Sequence, residues 1–189
     1  MRIALALVLL FAPLALDAGA PPASLYSVNP AKSLLRYNVK HKLHEVSAEA
    51  HQLEGKVALR PDGSAQVMVR AKVADFRSGD GNRDEHMLET LHAANFPLVS
   101  FKGVARFALP AAYPATQQVQ LDGELDFHGR KKRETFPVTV ELQSPTDLHV
   151  TGRLSVSLDA YGVERPSLLL MPIDDACLID LDLSFSQEH

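Results

Sequence analysis

The sequence predicts an all-β protein, an eight-stranded antiparallel barrel with a short helical insertion. Three observations carry this. From Ser33 onward apolar residues recur at every second position, the spacing that places side chains on one face of a strand, and helical spacing is confined to one segment. The runs are separated by turn signatures, Pro61-Asp62-Gly63-Ser64, His128-Gly129 and Ser144-Pro145-Thr146-Asp147, and short turns join antiparallel neighbours. Each strand has one apolar face, and helices are too few to cover a flat sheet. Closing the sheet on itself buries every apolar face and removes exposed edges; a two-layer sandwich is the competing arrangement.

The chain opens with Met1-Arg2, an apolar run over residues 3–16 broken only by Pro13, and Asp17-Ala18-Gly19-Ala20. A basic start, a short apolar stretch and an Ala-x-Ala ending form a secretory signal, with cleavage expected near Ala20 and an exported domain over residues 21–189. The run is too short for a bilayer span of about 20 residues, so a membrane anchor is the weaker reading.

In the first strand Leu35, Tyr37 and Val39 oppose Arg36, Asn38 and Lys40, and His41 keeps the inward parity near a rim. Leu53, Val57 and Leu59 lie in one strand between His44 and Arg60. Val67, Val69, Ala71 and Val73 follow, then Val99, Phe101, Ala105 and Phe107, then Val119, Leu121, Leu125 and Phe127. Phe136, Val138, Val140 and Leu142 form the next face. Val150, Leu154, Val156 and Leu158 precede the last, with Cys177, Ile179, Leu181, Leu183 and Phe185. The helix starts at Asp80-Gly81-Asn82 and carries Met87, Leu88 and Leu91 at helical spacing until Asn95-Phe96-Pro97 stops it. It is expected to lie across the barrel or cap one end.

Composition narrows the function. The 189 residues are 46% hydrophobic and carry a net charge of −4, which disfavours a nucleic-acid partner held by phosphate neutralisation. The single cysteine, Cys177, rules out an intrachain disulfide and a multi-cysteine metal cluster. Glu89-Thr90-Leu91-His92 is one copy of a unit that di-metal sites need twice, and nothing follows His86 at metalloprotease spacing; no metal or cofactor is expected. With no Gly-x-Ser-x-Gly elbow either, the chain is read as a binding protein rather than an enzyme. A lipid-acting enzyme using His41 or His86 as acid or base is a rival, and a packed interaction barrel is another. The basic run Arg130, Lys131, Lys132 and Arg133 reads as a solvated turn, or as a landing patch for anionic headgroups near a barrel mouth.

Eight strands enclose space for side chains or for one small ligand. Inward positions held by Gly103, Gly123, Gly152, Ala48, Ala50 and Ala71 either relieve strand curvature or leave volume for a hydrocarbon chain.

Several blocks in order, Tyr26-Ser27-Val28-Asn29-Pro30, Tyr37-Asn38-Val39-Lys40-His41, the run Gly79-Asp80-Gly81-Asn82-Arg83-Asp84-Glu85-His86-Met87, Asn95-Phe96-Pro97 and Gly123-Glu124-Leu125-Asp126-Phe127-His128-Gly129, resemble the YceI-like family of bacterial secreted proteins. The resemblance implies a lipocalin-like barrel, a periplasmic location and an enclosed polyisoprenoid, quinone-like or acyl-chain lipid. It implies that the inward residues named above line the cavity, with Tyr37 and His41 at the polar end of the ligand. Two features depart from the family pattern: the basic hairpin, and an apolar connector over residues 165–172, which is expected to plug or gate one mouth.

Overall fold

The computed structural model describes residues 23–41, 44–168 and 171–188; the expected leader, residues 1–20, lies outside the described residues. In chain order the elements are β1 (Ser24–Val28), β2 (Leu34–His41), β3 (His44–Ala50), β4 (Leu53–Leu59), β5 (Ser64–Lys72), α1 (Gly81–Thr90), β6 (Leu98–Arg106), β7 (Ala115–Phe127), β8 (Arg130–Leu142), β9 (Asp147–Ser157), β10 (Ser167–Leu168), β11 (Met171–Pro172) and β12 (Ala176–Gln187).

All strands but the β10–β11 hairpin belong to one antiparallel sheet, ordered β1-β4-β5-β6-β7-β8-β9-β12-β2-β3, which closes where β1 also pairs with β12. The result is a closed eight-stranded barrel with two extra strands. The extra strands arise because two staves are broken. β12 pairs with β2 over residues 177–182 and with β1 over residues 185–187, so β1 and β2 run end to end beside it. The returning stave is likewise β3 against β2 and β4 against β1.

Two sequence expectations are corrected here. The single strand expected between His44 and Arg60 is two strands, and β1 was not foreseen. The breaks have local causes. Pro30 opens a 3-10 turn over Pro30–Lys32 whose first free amide, Ala31 N, donates to the Asn29 side chain at 3.2 Å. On the returning stave Leu53 N donates to His51 O at 3.0 Å, bending the chain between β3 and β4. Five residues, with Ser24, Tyr26 and Val28 on the inner parity and only two of these apolar, are too few for alternation to register.

The β7–β8 connection is the expected two-residue turn, with His128 at φ 51° and Gly129 at φ 70°. Two positive φ values match the twist of the flanking strands. The β8–β9 ladder runs only from Val138↔Gly152 to Leu142↔Leu148. Beyond it the strands splay, and the gap is filled by Tyr161, which is fully buried and donates its hydroxyl to Glu134 Oε1 at 2.9 Å. The helix begins as expected: the Asp80 carboxylate accepts from Asn82 N at 3.0 Å and Arg83 N at 3.2 Å. None of its residues is buried; it sits over one end of the barrel.

The register stacks the inner side chains in layers. From the end away from the helix these run Leu142–Leu148–Phe185, then Val140–Val150–Leu183, then Val138–Gly152–Leu181–Leu35–Ala50, then Leu154–Ile179–Tyr37–Ala48, and then Val156–Cys177–Val39–Val46. Outward positions carry cross-strand ion pairs, among them Arg36–Glu49, Arg70–Glu54, Arg133–Asp122 and Arg153–Asp180.

Candidate functional site, an apolar lumen in two chambers

The layers do not fill the barrel. Val67, Val99, Phe101, Val150, Ile179 and Leu181 face inward yet stay only half-buried, because they border empty space. That space forms two chambers, one of about 120 Å³ in the half away from α1 and one of about 220 Å³ beneath the helix. Phe76, Val99 and Ile179 line both. Phe76 also meets Tyr37 of the chamber beneath the helix, their rings 5.7 Å apart.

The sequence-predicted residues gather here. Leu35, Val57, Val67, Val69, Phe101, Phe107, Leu121, Leu125, Val138, Val140, Leu154 and Leu181 line the far chamber. Tyr37, Val39, Phe127 and Val156 line the one under the helix, and Val99 and Ile179 line both. His41 is the exception: it is buried at the end of β2 and lines neither chamber.

Three contributions escaped the sequence reading. Phe76 follows a 3-10 turn after β5, outside any alternating run, so no periodicity marks it as inward. Met87 and Leu91 of α1 roof the chamber with Arg83, His86 and Thr90; their helical spacing was visible, but not which space they cover. Ile173, past the β10–β11 hairpin, lines the same chamber; Pro166, which also lines it, belongs to the segment expected as a plug, of which residues 169 and 170 lie outside the described residues.

The inward glycines do not leave open volume. Gly103 and Gly123 face each other across β6 and β7, and the Phe101 ring lies over both. A Cβ on Gly103 would stand 2.5 Å from that ring, and one on Gly123 would stand 2.6 Å from it. Phe101 in turn meets the edge of Phe136 at 5.5 Å. The glycines are thus seats for an aromatic side chain.

Burial holds two groups of the lumen wall neutral. Burial pushes the Cys177 thiol up to about 12, which keeps it protonated and unreactive. Burial likewise raises the Tyr37 phenol to about 12, so it is a neutral hydrogen-bond donor. Of the candidate acid–base histidines, His86 is exposed on α1 with Glu89 3.3 Å from its Nδ1. Among the described residues no group of three or more His, Cys, Asp or Glu is placed to hold a metal ion. Each residue of the basic hairpin has a partner within the protein. Arg133 pairs with Asp122, Lys131 lies 3.5 Å from Glu124, Arg130 donates to Ala160 O at 3.2 Å, and Lys132 lies 5.9 Å from the centre of the Tyr161 ring.

Comparison with known proteins gives one family match: the model of the YceI-like domain matches residues 26–185. A search of curated protein sequences gives no match. Among solved structures, a polyisoprenoid binding domain from Saccharophagus degradans implicated in plant cell wall breakdown aligns with a TM-score of 0.71 at 19% identity, covering 86% of this chain and 98% of its own. Burkholderia cenocepacia BcnA aligns with a TM-score of 0.66 at 23% identity, covering 83% and 98%. A Campylobacter jejuni YceI protein aligns at 0.58 and 12% identity, covering 79% and 90%.

Proposed function

Since the chain belongs to the YceI-like family, we propose that its barrel is a carrier that encloses a slender apolar chain, a polyisoprenoid, quinone-like or acyl-chain lipid, without covalent chemistry. The observation that carries this is the pair of adjoining chambers inside the barrel, which share Phe76, Val99 and Ile179 and are lined mostly by aliphatic and phenyl side chains. Water gains little in such a space, whereas each methylene transferred into it contributes about 0.8 kcal/mol. The described fold of the Saccharophagus degradans domain, a protein named for polyisoprenoid binding, supports the same ligand class. The leader-like residues 1–20 support export to the periplasm, where a lipid crossing water needs such an enclosure.

The test is mass spectrometry on protein purified from the periplasm without detergent, in native form and after organic extraction. The expected result is a stoichiometric adduct that yields an isoprenoid or acyl chain. A clean apo mass that gains nothing when such lipids are offered would instead favour a packed interaction barrel.

A further inference from the structure

Among the described residues five large apolar side chains are exposed, Leu25, Leu98, Val104, Leu109 and Tyr113, and all but Leu98 lie toward the end of the barrel away from α1. Leu25 and Val104 share one row of the outer face: the register runs Leu25↔Ala58 across β1 and β4, Ala58↔Gln66 across β4 and β5, and Gln66↔Val104 across β5 and β6. Leu109 and Tyr113 stand on the loop that joins β6 to β7, Phe107-Ala108-Leu109-Pro110-Ala111-Ala112-Tyr113-Pro114, which carries no charged residue. Phe107 borders the far chamber, and beyond it every residue of the loop except Pro110 is exposed. The base of the loop is pinned. The Gln117 side chain accepts from Ala108 N at 3.1 Å and donates to Ala108 O at 2.6 Å, and Phe107 N donates to Gly63 O at 3.1 Å. Apolar side chains held in the open at a barrel rim mark a contact surface.

Cations flank the apolar row on both sides. Two grooves that share Gln66 and Val104 run along this face; Lys56 and Lys102 border one, together with Leu25, and Arg60 and Arg106 border the other. Lys56 is paired with Glu188 at 2.8 Å, and Arg106 lies 3.7 Å from Asp62. Lys102 and Arg60 have no carboxylate within ion-pair distance among the described residues: Glu124, opposite Lys102 in the ladder, is turned to Lys131, and Asp122, which also borders the second groove, is held by Arg133. A second copy docked face to face would set these cations against one another. A bilayer of anionic lipids suits both parts of the surface, because leucine and tyrosine side chains settle at headgroup level while lysine and arginine meet the phosphates.

We propose that the β6–β7 loop and the adjoining outer face of β1, β4, β5 and β6 form a docking surface for an anionic phospholipid bilayer, with Leu109 and Tyr113 among the headgroups and Lys102 and Arg60 against their phosphates. The barrel then leans on the membrane by the end opposite α1. The basic hairpin faces away from it, since Phe127, paired with Arg130, lines the chamber under the helix. The docking surface goes beyond the carrier reading: it is measured on delipidated protein, so what the lumen holds does not decide it.

The experiment is flotation of delipidated protein with vesicles of phosphatidylglycerol and phosphatidylethanolamine, and with vesicles of phosphatidylcholine alone. The native protein is expected to float with the anionic vesicles in preference to the neutral ones, and to do so less as salt rises. Leu109→Ser with Tyr113→Ser is expected to weaken that binding about tenfold through lost apolar burial. Lys102→Gln with Arg60→Gln is expected to weaken it about 25-fold, near fivefold per cation. Lys131→Gln with Lys132→Gln removes the same charge from the hairpin and is expected to leave it unchanged; an unshifted Tm in each variant reports an intact barrel. Equal losses in the two charge variants would reduce the attraction to net charge, and a loss confined to the hairpin variant would move the contact to the α1 end; either overturns the proposal. So does native protein that floats with neither vesicle. If it then sediments as a dimer that Leu109→Ser with Tyr113→Ser separates, the occupant of the face is a second copy.

Discussion

Phe101 shows how single residues shape the lumen. Its ring covers the facing glycines Gly103 and Gly123, so the volume those glycines lack is used by an aromatic side chain rather than by a ligand. A Cβ at Gly123 would also press on the Lys102 carbonyl and the Gly103 backbone, neither of which can swing away. Gly123→Ala is therefore expected to cost about 1–3 kcal/mol through overpacking, read as a lower urea midpoint. Gly81→Ala, with nothing within 4 Å of the new methyl, should leave the midpoint essentially in place. Phe101→Asp acts on the lumen itself: a carboxylate at the wall of the far chamber makes burial of a hydrocarbon tail unfavourable. The folded variant is expected to purify without lipid by mass spectrometry, and retained stoichiometric lipid would contradict the assignment of Phe101 to the wall.

At the scale of elements, α1 and the strands answer to different forces. The barrel strands other than β3 are paired along both edges, whereas α1 has no buried residue and is held by its Asp80 cap, by the Ser78–Asp84 hydrogen bond and by Met87 and Leu91 over the chamber. Asp80→Ala removes a cap worth about 1 kcal/mol, and that loss should appear as local opening. Amide exchange over residues 82–86 is expected to quicken while the Tm barely moves; a Tm loss as large as that of Gly123→Ala would mean that α1 folds with the barrel. The same contrast explains what could be read in advance. Alternation marked β2, β5 to β9 and β12, and with them nearly every lining residue, because a strand with one buried face must alternate. β1 was too short to show a period, and the break at His51 is a backbone event with no composition signal. Phe76 belongs to no period, and His41 has the right parity but lies past the last layer of the lumen.

The whole molecule carries its charge outside and its apolar surface inside, so pH acts on the outer face of the sheet rather than on the lumen. On that face Arg133 and Thr135 hold the Asp122 carboxyl at about 2. Hydrogen bonds with Arg36, Ser144 and Arg153 hold Glu49, Asp147 and Asp180 below their usual range. These folded-state values lie below the unfolded ones near 4, so the stabilisation is present above about pH 4 and is lost as pH falls toward 2. His149 has the opposite sign. Burial alone would lower its imidazole, but Asp182, 2.7 Å from Nε2, and Glu141, 3.5 Å from Nδ1, more than reverse this and raise it. Its contribution is full below the unfolded value of about 6.5 and is lost as pH rises through the higher folded value. The Tm of the delipidated protein is therefore expected to peak between about pH 5 and 6.5, to fall steeply on the acid side and to fall gently on the alkaline side. The gentle limb belongs to one half-buried side chain near the surface and is small; His149→Gln should flatten it while leaving the acid limb intact. An alkaline limb that survives His149→Gln would place the titrating group elsewhere. Because no carboxylate or histidine among the described residues lines the far chamber, the affinity for a hydrocarbon held there should stay level across the same range in which the Tm changes.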